Sequence, residues 1–292
     1  MKLAYFGHHK SGSTWIETLI KQVCYQLKLK PYIASNPELF NSNLDSYMHR
    51  ENIDFICYTN AEIHFVKPIL EKIKGFHVIR DPRDIIVSAY FSHRYSHSTE
   101  SWPELNDYRK ELEHLTKDQG LLFVMEYLSC MKVDGVELNI FGQMQEWNYN
   151  LPNVLEIKFE EMITNPYKKF LDILQFLDLL DDSPYISVKS MSSYLFSETL
   201  NRGINKINPS LKKKISFNSK IYAWQALNII YEHDFARYAR GRKPGQEDVK
   251  SHNRKGVAGD WKNHFEEKHK QLFKEKYGSL LVQLGYEQNN DW

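Results

Sequence analysis

Apolar residues enter this chain in short continuous runs and, between those runs, at helical spacing. Lys2–Phe6, Asp54–Thr59 and Phe76–Ile79 read as strands, and a fourth, Val154–Phe159, follows the turn signal Asn150-Leu151-Pro152-Asn153. Helical patterns lie between them: Thr14–Leu27, with Ile16, Leu19, Ile20 and Val23 recurring on one stripe, Glu62–Lys72, Pro82–Tyr90 and a long Leu121–Tyr149 region. Asn165–Leu180 predicts an amphipathic structural helix, and Glu266–Leu284 a charged helix that closes the chain. Strands alternating with helices of these lengths predict βαβ units. The fold class is therefore α/β with a parallel sheet, and ligands of such sheets bind beyond the carboxyl ends of the strands. From Asn201 to Arg254 the periodic signal weakens among Gly203, Pro209, Gly241, Pro244, Gly245 and many charges. A long irregular segment, suited to a lid over a site, is expected there.

With 292 residues, 42% of them hydrophobic, the chain can bury a substantial core as one large domain or two small ones. A formal net charge of +1 argues against indiscriminate binding to nucleic acid or anionic membrane, so any anion recognition must come from local clusters. Cys24, Cys57 and Cys130 are too few and too scattered for a disulfide framework, and no Cys/His spacing suits zinc. No apolar stretch is long enough to span a bilayer, and the first residues lead straight into a strand without a leader pattern. The expectation is a soluble, cytoplasmic protein.

Three stretches carry candidate chemistry. The first, Lys10-Ser11-Gly12-Ser13-Thr14-Trp15, sits between the first strand and the first helix. Free amides and the dipole at a helix start favour an anion there; Gly12 allows close approach, the hydroxyls add donors and Lys10 adds a charge. It is not GxxxxGK[ST], because the lysine precedes the glycine. The second, Arg80-Asp81-Pro82-Arg83 onward, follows the strand Phe76–Ile79; Asp81 suits an N-cap and Pro82 the first helical position. Arg80 at the strand end and Ser88 on the helix can converge on one anionic group. The third, Arg254-Lys255-Gly256 followed by Ala258-Gly259-Asp260-Trp261, is a flexible turn carrying two cations suited to a phosphate.

At these same points the chain resembles the cytosolic-type sulfotransferases. "KSGSTW" is similar to their 5′-phosphosulfate loop, "RDPRDIIVSAYF" to their 3′-phosphate segment, and "RKGVAGDWKNHF" to their C-terminal signature. Order and spacing match as well, so the resemblance covers nearly the whole chain. It implies a single domain over residues 1–292 with a P-loop-like phosphosulfate turn after the first strand. It also implies 3′-phosphoadenosine 5′-phosphosulfate as co-substrate, no metal, and a small or medium-sized hydroxylated acceptor. Carried over to matching positions, Lys10, Ser11, Gly12, Ser13 and Thr14 would hold the 5′-phosphate, Trp15 would stack on the adenine, and Arg80, Ser88, Arg254, Lys255 and Gly256 would bind the 3′-phosphate. Lys10 would also stabilise the charge that develops on the bridging oxygen.

Departures from the family pattern are equally specific. Where the family has its base histidine, this chain has Asn60, within Tyr58-Thr59-Asn60-Ala61-Glu62. The candidate replacements are His93, favoured first, then His8, with His9 and Glu62 also open. The family's Phe-Tyr-Glu-Asp element reads Lys158-Phe159-Glu160-Glu161, so a tyrosine hydroxyl is missing. Its C-terminal dimer motif is not intact, since Glu266, Glu267 and Gln271 follow Lys262. The acceptor pocket is expected to draw on Tyr90, Phe91, Tyr95, Trp102, Trp147 and Tyr149. Two competing readings remain: a nucleotide-binding protein of the same fold that has lost turnover, and a P-loop kinase using ATP and magnesium.

Overall fold

The computed structural model describes residues 1–100, 102–181, 196 and 219–292. In chain order these form β1 (Lys2–Gly7), α1 (Ser13–Leu27), β2 (Pro31–Ala34), α2 (Leu44–Arg50), β3 (Phe55–Tyr58), α3 (Ile63–Val66), β4 (Ile73–Ile79), α4 (Pro82–Phe91), α5 (Leu105–His114) and α6 (Lys117–Tyr127). There follow β5 (Met131–Val133), β6 (Val136–Leu138), α7 (Ile140–Glu146), β7 (Val154–Lys158), α8 (Phe159–Thr164) and α9 (Pro166–Phe176). A short pair, β8 (Leu180–Asp181) and β9 (Ile221–Tyr222), leads into α10 (Ala223–Glu232), α11 (Phe235–Tyr238) and the closing α12 (Glu267–Gln283).

The central sheet runs β2-β3-β1-β4-β7, with every pairing parallel. Leu3 and Tyr5 of β1 pack with α1, α9 and α10 on one face, while Ala4 and Phe6 pack with residues of α2 and α3 on the other. Coverage of both faces is why these strands read as apolar runs rather than alternating ones. A further core lies beyond the sheet, where α4, α5, α6, α7 and α12 bury Ile85, Leu112, Leu121, Phe141 and Phe273. From β1 the chain first builds β2 and β3 on one side and then crosses to β4 on the other, so the crevice beyond the ends of β1 and β4 is the expected ligand position of an open parallel sheet.

The four expected strands and the helices α1, α4, α9 and α12 are present within a few residues of their predicted bounds. The Leu121–Tyr149 region differs: α6 ends at Tyr127, the β5–β6 hairpin intervenes, and α7 resumes at Ile140. Its two-residue turn, Asp134-Gly135, has positive φ at both positions (52° and 80°), the geometry of a tight hairpin. Residues 201–218 of the expected irregular segment lie outside the described residues. Its remainder contains the ten-residue helix α10, whose Ala226, Ile229 and Ile230 pack on the sheet's core, so the irregular expectation is corrected there.

Two carboxylates on α4 position the site. Asp81 caps the helix by accepting from Arg83 N–H at 2.9 Å, and it also takes the Arg83 guanidinium from Nε at 3.0 Å and Nη2 at 2.8 Å. That guanidinium, itself buried, lies over the Trp261 ring at 3.9 Å and bonds Glu287 at 2.6 Å, which ties α4 to the C-terminal region. Asp84, also buried, accepts from the amides of Gly259 (2.7 Å) and Trp261 (2.9 Å). The turn Arg254–Gly259 is thereby fastened to α4. Asp84→Ala leaves both amides without an acceptor, and the expected loss is about 2–4 kcal/mol of unfolding free energy in a urea titration. Asp84→Asn, which keeps one acceptor oxygen, should lose less; equal stability of Asp84→Ala and the parent would show that the clasp contributes nothing.

Candidate active site

A cavity of about 500 Å³ opens beyond the carboxyl ends of β1 and β4. Residues from all three chemical stretches line it: Lys10, Gly12, Ser13, Thr14 and Trp15, then Arg80 and Ser88, then Arg254, Lys255 and Gly256. Stretches up to 246 positions apart thus face one space, because β1 and β4 are neighbours and Asp84 clasps the C-terminal turn to α4.

The first turn is shaped to receive an anion. Lys10 and Gly12 both take positive φ, 63° and 83°. Glycine is required at the second, because a Cβ there would stand 2.4 Å from the Phe159 ring. α1 starts at Ser13, so its first amides have no intrahelical acceptor and point into the cavity's end. Ser11 is fully buried just off the lining, and among the described residues neither its hydroxyl nor Arg80 Nε has a hydrogen-bond partner. Buried donors of this kind fit a phosphate-type ligand rather than an apolar one. Trp15 is held in orientation by a 2.8 Å bond from its Nε1 to the His233 carbonyl, which leaves the indole face along the cavity.

The cations crowd one another. Arg80 donates to the Lys10 carbonyl at 3.0 Å and lies 4.9 Å over the Phe159 ring. Burial, and then the charges of Arg80 and Arg254, lower the Lys10 ammonium to a pKa of about 7. Behind the third stretch stands Asp260, buried, accepting from Arg254 at 2.5 Å, Lys255 at 2.6 Å, Asn263 at 2.9 Å and facing His264 at 3.2 Å. Burial opposes the charge on Asp260, but the hydrogen bonds from His264, Lys255, Asn263 and Arg254 outweigh it and hold the carboxyl well below its ordinary range. Arg254 also bonds Glu247 and lies 4.4 Å over Phe91. Glu247, Asp260 and His264 bring donor atoms within 4.8 Å of one another, yet Arg254 and Lys255 already supply the positive charge between them.

Beside Lys10 the wall is made of imidazoles. His9, His97 and His252 line the cavity, and His9 Nε2 lies 2.9 Å from Nε2 of the buried His93. His93 itself does not line the cavity. Nor does His8, which is buried in a separate relay: His8 Nε2 to His77 Nε2 at 2.9 Å, His77 Nδ1 to Glu156 at 2.7 Å, and Trp147 Nε1 to Glu156 at 2.9 Å. His8 is thus engaged away from the cavity by the sheet's inward-facing pattern. Glu62 also lies off the lining, 3.7 Å from His64. Asn60 lines the cavity and donates to the Ser35 carbonyl at 2.7 Å. Of the six aromatics expected around the acceptor, Trp102 alone lines the described cavity; Tyr90, Phe91 and Trp147 belong to the core and Tyr95 is exposed. Tyr286 donates to Glu160 at 2.8 Å, and neither lines the cavity.

Sequence reasoning missed Asp84, Asp260, His97 and His252. Asp84 and Asp260 lie inside the cationic stretches, but their partners are fixed only by the fold. His97 lies within "YFSHRYSH", where the five-residue π-turn Ser92–Ser96 follows α4 and rotates both His93 and His97 toward Lys10. Among the described residues no helix is long and apolar enough to cross a membrane.

Two solved structures share the fold. One is a mouse sulfotransferase, SULT7A1, complexed with PAP, at 18% identity, covering 96% of this chain and 84% of that one with a TM-score of 0.55. The other is a retinol dehydratase in complex with androsterone and inactive cofactor PAP, at 15% identity, covering 96% and 80% with a TM-score of 0.51. No curated protein is similar enough to be matched. The profile of the sulfotransferase domain matches residues 5–285, almost the entire length, and the chain therefore belongs to that family.

Proposed function

We propose that this protein transfers a sulfuryl group from 3′-phosphoadenosine 5′-phosphosulfate to a hydroxyl of a small or medium-sized acceptor. The observation that carries the reading is the meeting of three cationic stretches around one cavity, with Lys10 next to a wall of polar side chains. The PAP bound in the two fold relatives supports the same nucleotide here.

In this reading the amides of Gly12, Ser13 and Thr14 and the hydroxyls of Ser11, Ser13 and Thr14 hold the 5′-phosphate, Trp15 carries the adenine, and Arg80, Ser88, Arg254, Lys255 and Gly256 take the 3′-phosphate. The donor supplies an activated sulfur–oxygen bond. As that bond breaks in line, negative charge gathers on the oxygen left with the 5′-phosphate, and the Lys10 ammonium stabilises it where it forms. Alignment of acceptor and donor in one cavity contributes the rest without a metal. A second reading, nucleotide binding without turnover, is favoured by Asn60, whose amide is committed to Ser35 and cannot act as a base.

Three outcomes test this. Thermal unfolding should move upward with 3′,5′-adenosine diphosphate in the absence of metal and not with ATP plus magnesium, since a ligand bound only to the native state raises the melting point. No shift with the bisphosphate would overturn the reading, and the reverse pattern would point to a kinase. Radiolabelled donor with a panel of hydroxyl compounds then separates enzyme from binder, and Lys10→Ala should lower turnover by about 10²–10³-fold while weakening bisphosphate binding much less. Equal losses in both would remove Lys10 from the transition state.

The third outcome is a linkage. Free Lys10 titrates near 7, whereas an anion beside it favours the charged ammonium, so bisphosphate binding at pH 8 should take up protons. Calorimetry in buffers of different ionisation enthalpy measures the uptake, which Lys10→Met should abolish. For the unliganded protein the sign is opposite to a salt bridge: the native pKa lies below the unfolded one, so Lys10 weakens the fold below pH 7, and that penalty fades as pH rises from 7 toward the unfolded pKa.

A further inference from the structure

Sulfotransfer as proposed above requires that the acceptor hydroxyl lose a proton, and Asn60 offers no place for it. Resting on that reading, we propose that His9 receives the proton as the general base, with His93 behind it as a positioning residue.

The geometry selects His9 among the imidazoles. It sits between Lys10, at the reacting end, and the buried His93, with the two Nε2 atoms 2.9 Å apart. With Nε2 so engaged, Nδ1 is the ring nitrogen that His9 can turn to the cavity it lines. His93 is fully enclosed and cannot meet an acceptor directly. It is fixed from every side: its ring meets Trp102 edge-on at 5.0 Å and Tyr108 at 5.6 Å. Its carbonyl accepts from Arg109 Nε at 2.6 Å. Trp102 is in turn anchored by its Nε1 to the Lys132 carbonyl at 2.5 Å.

The π-turn that presents His93 is held open at both ends. His97 N–H donates to the Ser92 carbonyl at 2.7 Å, and Arg109 Nη2 donates to the His97 carbonyl at 2.6 Å. Such turns inside a helix recur at functional sites, where the extra residue redirects side chains. Here it places His97 on the cavity wall and His93 behind His9. The pairing of His9 with His93 spans 84 positions and serves no packing need that an apolar pair would not meet better.

In the transfer the acceptor O–H bond breaks and its oxygen forms a bond to sulfur, while the proton passes to Nδ1 of His9. The sulfur–oxygen bond to the 5′-phosphate breaks, and its electron pair stays on the phosphate oxygen beside Lys10. The Nε2 hydrogen of His9 is shared with Nε2 of His93 across 2.9 Å, which spreads the imidazolium charge over the pair. Release of the proton to solvent through the cavity restores the pair.

The surrounding charges make this base conditional. Facing His9 are Lys10, His93, His97 and His252, and facing His93 is also Arg109. Burial first, and then these neighbours, hold both imidazoles well below their ordinary pKa in the free protein. The phosphates and sulfate of a bound donor reverse the sign of that field and raise the basicity of His9 when it is needed.

The test uses full-length protein and acceptors graded from 4-nitrophenol, which ionises readily by itself, through phenol to an aliphatic alcohol. His9→Ala should lower turnover of the alcohol by about 10²–10⁴-fold and of 4-nitrophenol far less, and added imidazole should restore part of the lost rate. His93→Gln should show a smaller loss and a displaced acid limb in its pH–rate profile. Independently of any acceptor, nitrogen-15 histidine spectra should show the His9 titration moving upward on addition of 3′,5′-adenosine diphosphate. Uniform losses along the acceptor series, no imidazole rescue, or an unmoved His9 titration in protein that the bisphosphate stabilises would each overturn the assignment. Parent protein that the bisphosphate does not stabilise would instead defeat the sulfotransfer reading itself.

Discussion

Like charges in one cavity are the constraint around which this structure is organised. Lys10, Arg80 and Arg254 face a common space, and partial burial strengthens their repulsion. The carboxylates that steady them stand behind the wall rather than in it. Asp260 and Glu247 hold Arg254 from the rear, and Asp84 holds the same turn through backbone amides without touching a cation. Burial, and then the charges of Arg80 and Arg254, act on Lys10 and lower its pKa. The fold therefore keeps a positively charged pocket in being and leaves its neutralisation to a ligand. That arrangement costs stability, and a preorganised anion site obtains its affinity from the same field.

The parts of this architecture set by local patterning were legible in the sequence. Strands buried on both faces announce themselves as apolar runs, and Asp81-Pro82 marks the start of α4 by capping chemistry that acts within three residues. The turn Lys10–Thr14 was legible for the same reason, since it needs only a glycine, small hydroxyls and the junction of β1 with α1. β2 escaped because it is a four-residue edge strand beginning with proline. The β5–β6 hairpin escaped although Asp134-Gly135 is a strong turn signal, because the apolar residues around it also satisfy a helical period.

What stayed hidden depends on side chains meeting across long loops. Nothing near Asp84 announces that its carboxylate will bond amides 175 and 177 positions later. Likewise His9 and His93 carry no periodic relation, and their contact exists only because β1 and β4 are adjacent and a π-turn follows α4. The cationic stretches could be named in advance; their supports could not. Resemblance reached most of the residues that line the cavity, whereas the carboxylates and the buried His93 behind them had to come from packing.

The polarity of the cavity beside Lys10 bears on which hydroxyl compounds can enter. An acceptor pocket built from Tyr90, Phe91 and Trp147 would have been apolar, but those rings are consumed by the core: Tyr90 packs against Gly120 of α6, and Trp147 covers His77 at 4.1 Å. Ser35, Thr59, Asn60, His9 and His97 stand along the described wall, together with the apolar Trp102, Val133, Ile230 and Phe235. Asn60 donates to the Ser35 carbonyl and His9 meets His93, so these polar groups keep a protein partner when an apolar surface covers them. The wall is therefore mixed in character, and both the apolar body and a polar edge of a small molecule find complementary surface along it.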